Sequence, residues 1–267
     1  MTLGRLLKNR AVRRQINLFG TFANWWVYYA EKIGLAGLPL TFLTRQGILV
    51  RVPRDLYPEF KSIFLREHYL EGLVLPLRVR PVIVDIGANV GFFSLFAVSK
   101  WEGRVFSYEP VGANYDEMVK SVRANPGIEV KCVRAAVSGE TGWVEIFCGG
   151  EPFPTTAKVG KGDGEVKGET VRAVTLLEIM EEEGLSVVDL LKMDCEGSEF
   201  SILYGSTGKT LERIGQMAIE VHPDPADERK NASALSAFLA SAGFRVATND
   251  RGTYLWAQNR KDAPCLS

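Results

Sequence analysis

From Val82 onward, apolar runs alternate with stretches of helical spacing. The runs at 82–87 (VIVDIG), 104–110, 128–138, 187–194 and 214–222 predict buried strands. Helices are expected over 90–101, 114–126, 175–184 and 232–243. Thr175 with Glu178 three residues on has the form of a capping box, and Gly243 a C-terminal stop. The segment 142–149 is expected to form a hairpin with the strand before it. A further strand begins at Glu169, and 244–249 with 253–258 read as an antiparallel hairpin on a sheet edge. The Gly/Pro/Lys-rich segment 149–168 lacks periodicity and is expected to be a long loop. The alternation predicts an α/β fold, a mainly parallel sheet with helices on both faces.

The first 75 residues have another texture. One amphipathic helix is expected over 16–30, packing Phe19, Phe22, Trp26 and Tyr29 on the core. Two short strands around Gln46-Gly47 follow, then a helix over 55–72 with Phe60, Ile63, Phe64 and Tyr69 on its buried face and Gly72 as C-cap. His68 reads as structural, or as facing a pocket with Tyr69. The chain is thus expected to divide into an extension (1–75) that covers the active site, a catalytic domain (76–260) and a tail (261–267).

Charge narrows the partners. The chain of 267 residues carries 32 basic and 32 acidic side chains, so its overall field gives no reason to expect nucleic-acid binding. Four dispersed cysteines, without a C-x-x-C, fit a reducing, cytoplasmic setting better than a zinc knuckle or disulfide framework. Residues 1–15 hold Arg5, Lys8, Arg10, Arg13 and Arg14 and no acid. The apolar run behind them is interrupted by Asn17, Thr21 and Asn24 and falls short of the ~20 residues a membrane span needs. Core packing and peripheral contact of residues 1–30 with the inner face of an anionic membrane both remain open.

The candidate chemistry sits at strand ends. Gly87-Ala88-Asn89-Val90-Gly91 joins a strand to a helix, a place where glycines let a ligand approach the backbone. Glu109 ends the next strand 22 residues past Gly87, where an acid accepts both ribose hydroxyls of an adenosine ligand. Asn89 stands where a dinucleotide fingerprint has its middle glycine, and Phe92-Phe93 crowd the helix start. S-adenosylmethionine, which has no pyrophosphate, fits these residues better than a nicotinamide dinucleotide. The run LLKMDCEGSEF (190–200) places Asp194 at a buried strand's end, beside the cofactor's reactive end, and Glu220 and His222 end another strand. Asp194, Glu196, Glu220 and His222 are the candidate catalytic residues, with Asp194 as base or hydroxyl-orienting group. Glu199 reads more as a helix-start acid favoured by the macrodipole. Asp194, Glu220 and His222 also suit Mg²⁺ or Mn²⁺, but without a dense ligand cluster no metal ligand is assigned. The alternatives to a methyltransferase are an NAD-dependent oxidoreductase and a non-catalytic membrane-associated binding protein.

The stretches VIVDIGANVGFFS (82–94), VFSYEPVGANYDEMVKSVRAN (105–125), VRAAVSGETG (133–142), DLLKMDCEGSEFSILYGS (189–206) and IEVH (219–222), in this order, resemble FkbM-type S-adenosylmethionine-dependent methyltransferases. The resemblance covers roughly residues 80–222, and K-x-D-x-E-G-x-E, met by Lys192, Asp194, Glu196 and Glu199, is its most distinctive part. It implies a seven-stranded class I methyltransferase fold and O-methylation of hydroxyls on saccharide, glycolipid or secondary-metabolite acceptors. It also implies cofactor contacts from Asp85, Gly87, Ala88, Asn89 and Gly91 at the methionine end. Glu109 and Pro110 would lie at the ribose, Ala135 and Ala136 by the adenine, and Asp194 by the reacting group.

Overall fold

A computed structural model describes residues 10–37, 39–148, 157–159 and 168–262. In chain order the helices are α1 (Arg10–Thr21), α2 (Trp26–Lys32), α3 (Tyr57–Phe60), α4 (Phe92–Trp101), α5 (Gly112–Arg123), α6 (Leu176–Glu182), α7 (Glu199–Gly205), α8 (Gly208–Leu211) and α9 (Ala232–Ser241). The strands are β1 (Leu40–Leu43), β2 (Leu49–Val52), β3 (Val82–Ile86), β4 (Arg104–Tyr108), β5 (Val130–Val133), β6 (Ala136–Val137) and β7 (Gly142–Cys148). They continue with β8 (Ala157–Val159), β9 (Glu169–Val174), β10 (Val188–Met193), β11 (Ile214–Glu220), β12 (Phe244–Thr248) and β13 (Tyr254–Asn259).

Seven strands form the central sheet in the order β12-β13-β11-β10-β3-β4-β5, parallel except where β13 pairs antiparallel with β11 and β12. The chain enters at β3, adds β4 and β5 on one side, then crosses over to lay β10 and β11 on the other. The carboxyl ends of β3 and β10 therefore diverge at the switch in strand order, where open α/β sheets form their ligand crevice. Alternate residues of β10 feed two cores. Leu190 joins Ile83, Val105 and the phenylalanines of α4, while Leu191 and Met193 join Val84, Ile86 and residues of α6, α7 and α9. A sheet covered on both faces needs the near-continuous apolar strands seen in the sequence.

The extension shares the first of these cores. Phe22, Phe42, Phe60 and Phe64 pack with neighbouring ring centroids 4.6–5.6 Å apart, and Phe64 meets Phe96 of α4 edge-on at 5.5 Å. The β1–β2 hairpin turns at Gly47 as expected, with φ 85°. The capping box at Thr175 and the stop at Gly243 (φ 97°) are both formed.

Several local expectations fail. The helix expected over 16–30 is two helices, broken where Phe22 bridges to Thr44. Only part of its expected face is buried: Phe22 is inside with Leu18 and Tyr28, while Phe19 and Trp26 are exposed. The helix expected over 55–72 becomes α3, a π-helical turn (Lys61–Arg66) and a 3-10 turn (His68–Leu70). Glu67, at φ 53°, redirects the chain there, and Gly72 is not the cap. Gly72 instead lets Trp256 pack closely, since a Cβ at that position would lie 2.4 Å from the indole. The single strand expected over 128–138 splits into β5 and β6, which belong to different sheets. The expected partner at 142–149 pairs instead with β8 and β9 in a four-stranded sheet ordered β6-β9-β7-β8. Of the loop expected over 149–168, residues 157–159 form β8, and 149–156 and 160–167 lie outside the described residues.

Candidate active site

A cavity of about 420 Å³ opens at the carboxyl ends of β3, β4, β10 and β11, a size in the ordinary ~300–1,000 Å³ range of small-molecule sites. One side is built from the turn after β3. Gly87, Asn89 and Gly91 all adopt positive φ (69°, 50° and 85°), so the backbone coils tightly between strand and helix. The glycines answer to protein neighbours. A Cβ on Gly87 would sit 1.7 Å from the backbone oxygen of Asp194, and one on Gly91 would sit 2.9 Å from Cγ of Met118. The Asp194 N–H in turn donates to the carbonyl of Ile86 at 3.0 Å. The glycine turn and the acidic run around Asp194 are thus one structural unit.

Glu109, just past the end of β4, stands beside that turn on the same side. It is 4% exposed, and its two oxygens accept from the backbone N–H groups of Asn89 (2.8 Å) and Val111 (2.9 Å). Burial pushes its carboxyl up to about 7 despite these donors, so further donors in the cavity would be favourable there. Pro110, Ala135, Ala136 and Ile146 continue this wall. Asp85 is not on it. Fully buried, it accepts from Ser94 Oγ at 2.6 Å and lies 3.1 Å from Lys192 Nζ, its neighbour across the β3–β10 pair. Lys192 also donates to the carbonyl of Gly87 at 2.8 Å. Burial works against that ammonium, but Asp85 and Asp194 outweigh it and hold its pKa above the usual lysine value. Ala88 and Gly91 are buried behind the turn, while Gly87 and Asn89 line the cavity.

The second side gathers acids from two strand ends. Asp194, Glu196, Glu220 and His222 all line the cavity. Consecutive positive φ values at Glu196 (52°) and Gly197 (101°) fold the chain back, so that Glu196 Oε2 lies 3.8 Å from His222 Nε2, with Asp194 Oδ1 at 3.7 Å. Glu199 begins α7 as expected but is not a solvated helix-start acid: it is fully buried and braces both strand ends. One oxygen accepts from the His222 N–H (2.6 Å) and lies 3.5 Å from Nδ1; the other accepts from the Gly197 N–H (2.9 Å). Burial pulls the His222 imidazole down, yet Glu199, Asp194 and Glu196 prevail and raise it to about 9. These carboxylates favour the protonated imidazole, the form that cannot accept a proton.

The third contribution comes from the extension, and of the two readings of His68 the cavity has the one in which it faces a pocket with Tyr69. Glu59, Ser62, Arg66, His68 and Tyr69 line the cavity opposite the strand ends. Burial, then the charge of Asp194, raises Glu59 to about 7. His68 is held down to about 4, chiefly by burial, with Nδ1 2.9 Å from the Ser62 carbonyl. Tyr69 Oη lies 2.8 Å from Asp194 Oδ2 and 3.2 Å from Glu220 Oε2, and Tyr254 Oη donates to that same Glu220 oxygen at 2.9 Å. The left-handed residue Glu67 carries Tyr69 to the sheet ends, a conformation that helical spacing does not forecast. Among the described residues, ligand atoms of Asp194, Glu196 and His222 lie within 4.8 Å of one another, close enough to share a metal ion.

A family model described as the methyltransferase FkbM domain matches residues 85–246. The hexuronic acid methyltransferase AglP of Haloferax volcanii is 27% identical over 154 residues, covering 56% of this chain and 60% of that protein. The 31-O-demethyl-FK506 methyltransferase FkbM of Streptomyces tacrolimicus is 28% identical over 219 residues, covering 70% and 81%. Another curated relative is far longer, and the match spans only 10% of it. The crystal structure of a methyltransferase FkbM from Methylobacillus flagellatus superposes with a TM-score of 0.50 at 15% identity, over 96% of this chain and 60% of that one. That likeness concerns the fold: a central sheet of class I type. No helix among the described residues is long and apolar enough to cross a membrane.

Proposed function

This chain belongs to the FkbM methyltransferase family, and we propose that it transfers a methyl group from S-adenosylmethionine to a hydroxyl of a saccharide, glycolipid or secondary-metabolite acceptor. The observation that carries this reading is one cavity holding Glu109 on one wall and Asp194 on the other. Glu109, buried and raised toward 7, is suited to accept the two ribose hydroxyls, and the apolar wall at Ala135, Ala136 and Ile146 suits an adenine ring. The turn at Gly87–Asn89 would receive the amino-acid end. Asp85 and Lys192 would hold that turn rather than touch the ligand.

S-adenosylmethionine, when bound, supplies an electrophilic methyl carbon on a cationic sulfur and becomes a neutral thioether. Asp194 orients the acceptor hydroxyl and takes its proton as the new O–C bond forms and the S–C bond breaks. Asp194, Glu196 and Glu220 form an acidic wall beside the cationic sulfur, and His222 is held in their midst. The extension (1–75) supplies the acceptor-side wall of the catalytic domain (76–260). The zero net charge favours a small molecule or glycan over nucleic acid as acceptor.

Calorimetry with S-adenosylhomocysteine tests the cofactor half. Binding that weakens in Glu109→Ala is expected; no binding to the intact chain would overturn the assignment. The trio Asp194, Glu196 and His222 also suits Mg²⁺ or Mn²⁺, which would there polarise the acceptor hydroxyl. Our reading assigns deprotonation to Asp194 alone, so transfer rates after exhaustive chelation are expected to stay unchanged. The exposed Phe19, Trp26, Ile33 and Leu35, with Arg45 donating to the Phe19 carbonyl, favour peripheral contact with an anionic membrane. Flotation with phosphatidylglycerol vesicles should be lost in a Phe19→Ala, Trp26→Ala double variant.

A further inference from the structure

We propose that Arg66 sets acceptor specificity: its guanidinium receives an anionic group of the acceptor, a carboxylate or a phosphate, while the hydroxyl to be methylated faces Asp194. The role in transfer rests on the methyltransferase reading; the cavity's preference for an anion can be measured without any transfer.

Pro58, Glu59, Ser62, Ile63 and Arg66 all line the cavity, so one face of the coil formed by α3 and the π-helical turn is directed into it. The other face is core. Phe60, Phe64 and Leu65 are fully buried, and Asn17 of α1 donates to the Leu65 carbonyl at 3.1 Å. Arg66 ends the cavity face and is exposed. The acids that follow it in sequence are turned away. Glu67, at φ 53°, leaves the helical course and meets Lys100 Nζ at 2.7 Å and Arg13 at 3.9 Å, and Arg13 also takes Glu71 at 3.5 Å. Among the described residues the Arg66 guanidinium is left without an ion pair or a hydrogen bond.

The other basic groups around the cavity are engaged. The His222 ring lies 3.5 Å from Glu199, 3.7 Å from Asp194 and 3.8 Å from Glu196. Lys192, behind the glycine turn, is taken by Asp85 and the Gly87 carbonyl. His68, held down to about 4 chiefly by burial, is uncharged at neutral pH. An anion entering the cavity therefore finds one open cation among the described residues. At the sheet ends it would meet Asp194, Glu196 and Glu220 instead, and like charges repel strongly where water is excluded. Glu59, at the other end of the cavity face, feels the charges of Asp194 and Glu220 and belongs to that acidic end. The cavity thus has two ends of opposite sign. A neutral acceptor draws no orientation from this asymmetry; one with its anion on Arg66 points its far end at Asp194. A guanidinium suits the role, because its parallel N–H donors match the oxygens of a carboxylate or phosphate two at a time.

Two measurements on the intact chain test this. In a cell extract, labelled methyl from S-adenosylmethionine should enter a product that an anion exchanger retains at neutral pH. Labelling at limiting extract should fall at least about threefold in Arg66→Gln, the scale of an exposed charge pair. Arg66→Lys should recover part of the loss, and S-adenosylhomocysteine affinity should stay within about twofold in both variants. A neutral product, or undiminished labelling by Arg66→Gln, overturns the assignment. The second measurement compares glucuronate, glucose 6-phosphate and glucose by saturation-transfer NMR, with and without S-adenosylhomocysteine. One of the two anions should bind at least about threefold tighter than glucose, which of them telling carboxylate from phosphate, and Arg66→Gln should remove the preference. No preference for either anion, or a preference that survives Arg66→Gln, overturns the proposal. A wild type that labels nothing counts against the methyltransferase reading instead, and the binding comparison then decides the anion site.

Discussion

The two walls of the cavity are made in different ways. On the Glu109 wall, the turn after β3 and the end of β4 form one local unit, backed by Ala135, Ala136 and Ile146, and backbone N–H groups hold its carboxyl. The Asp194 wall is assembled from four distant places: the 59–69 segment, 194–198, 220–222 and Tyr254, and side chains hold side chains. A wall made by backbone geometry is suited to a constant ligand. One made by side chains from several segments can be refitted for different acceptors without moving Asp194.

Breaking each wall should therefore fail differently. Asp194→Asn removes the proposed base and is expected to lower turnover about 100- to 10,000-fold while S-adenosylhomocysteine affinity stays within about threefold, measured by labelled transfer and calorimetry. If affinity collapses as well, Asp194 belongs to both walls equally. Gly87→Ala attacks the joint between them. Its methyl would meet the Asp194 carbonyl in a left-handed conformation, so a loss of about 3 kcal/mol or more in denaturant unfolding is expected, or no folded protein. A well-folded Gly87→Ala with unchanged stability would contradict the described joint.

Glu109→Ala should weaken S-adenosylhomocysteine about 10- to 100-fold, the scale of losing hydrogen bonds to a charged group. The pH dependence has a definite sign. The ligand's hydroxyls donate, so they favour the ionised carboxylate, and affinity in the wild type should tighten as pH rises through about 7. Flat affinity from pH 6 to 8 would mean that Glu109 does not meet the ribose. The smallest effect concerns His222. Its pKa is raised from 6.5 to about 9 in the fold, so its contribution to stability is complete below about 6.5 and is lost as pH climbs through 9. Its side chain is 26% exposed, which screens the effect to on the order of 1–2 kcal/mol. Between pH 6 and 9.5 the wild type should lose that much more unfolding free energy than His222→Gln.

The same contrast explains what could be read from the sequence. The central sheet announced itself because strands buried on both faces must be apolar throughout, as in VIVDIG and VVDLLKMD. Glu109 and Asp194 were legible because they end such strands. The second sheet was not, because Arg134 interrupts the run at 128–138 without marking that β5 and β6 part company there. The place of 59–69 on the cavity was legible only in outline, as an extension covering the site; the backbone switch at Glu67 overrides the helical period that placed Tyr69 on an apolar face. Glu199 illustrates a third limit. Its position at a helix start was right, but only the fold shows that both its oxygens serve other strand ends.

The most direct test of the account is to incubate the chain, and its Asp194→Asn variant, with methyl-labelled S-adenosylmethionine and an extract of the cells it comes from, and to follow the products by mass spectrometry. The account predicts that the wild type places the label on an oxygen of a hydroxyl-bearing small molecule or glycan, and that the variant places almost none. Label on nitrogen or on nucleic acid, no label at all, or equal labelling by the variant would contradict it.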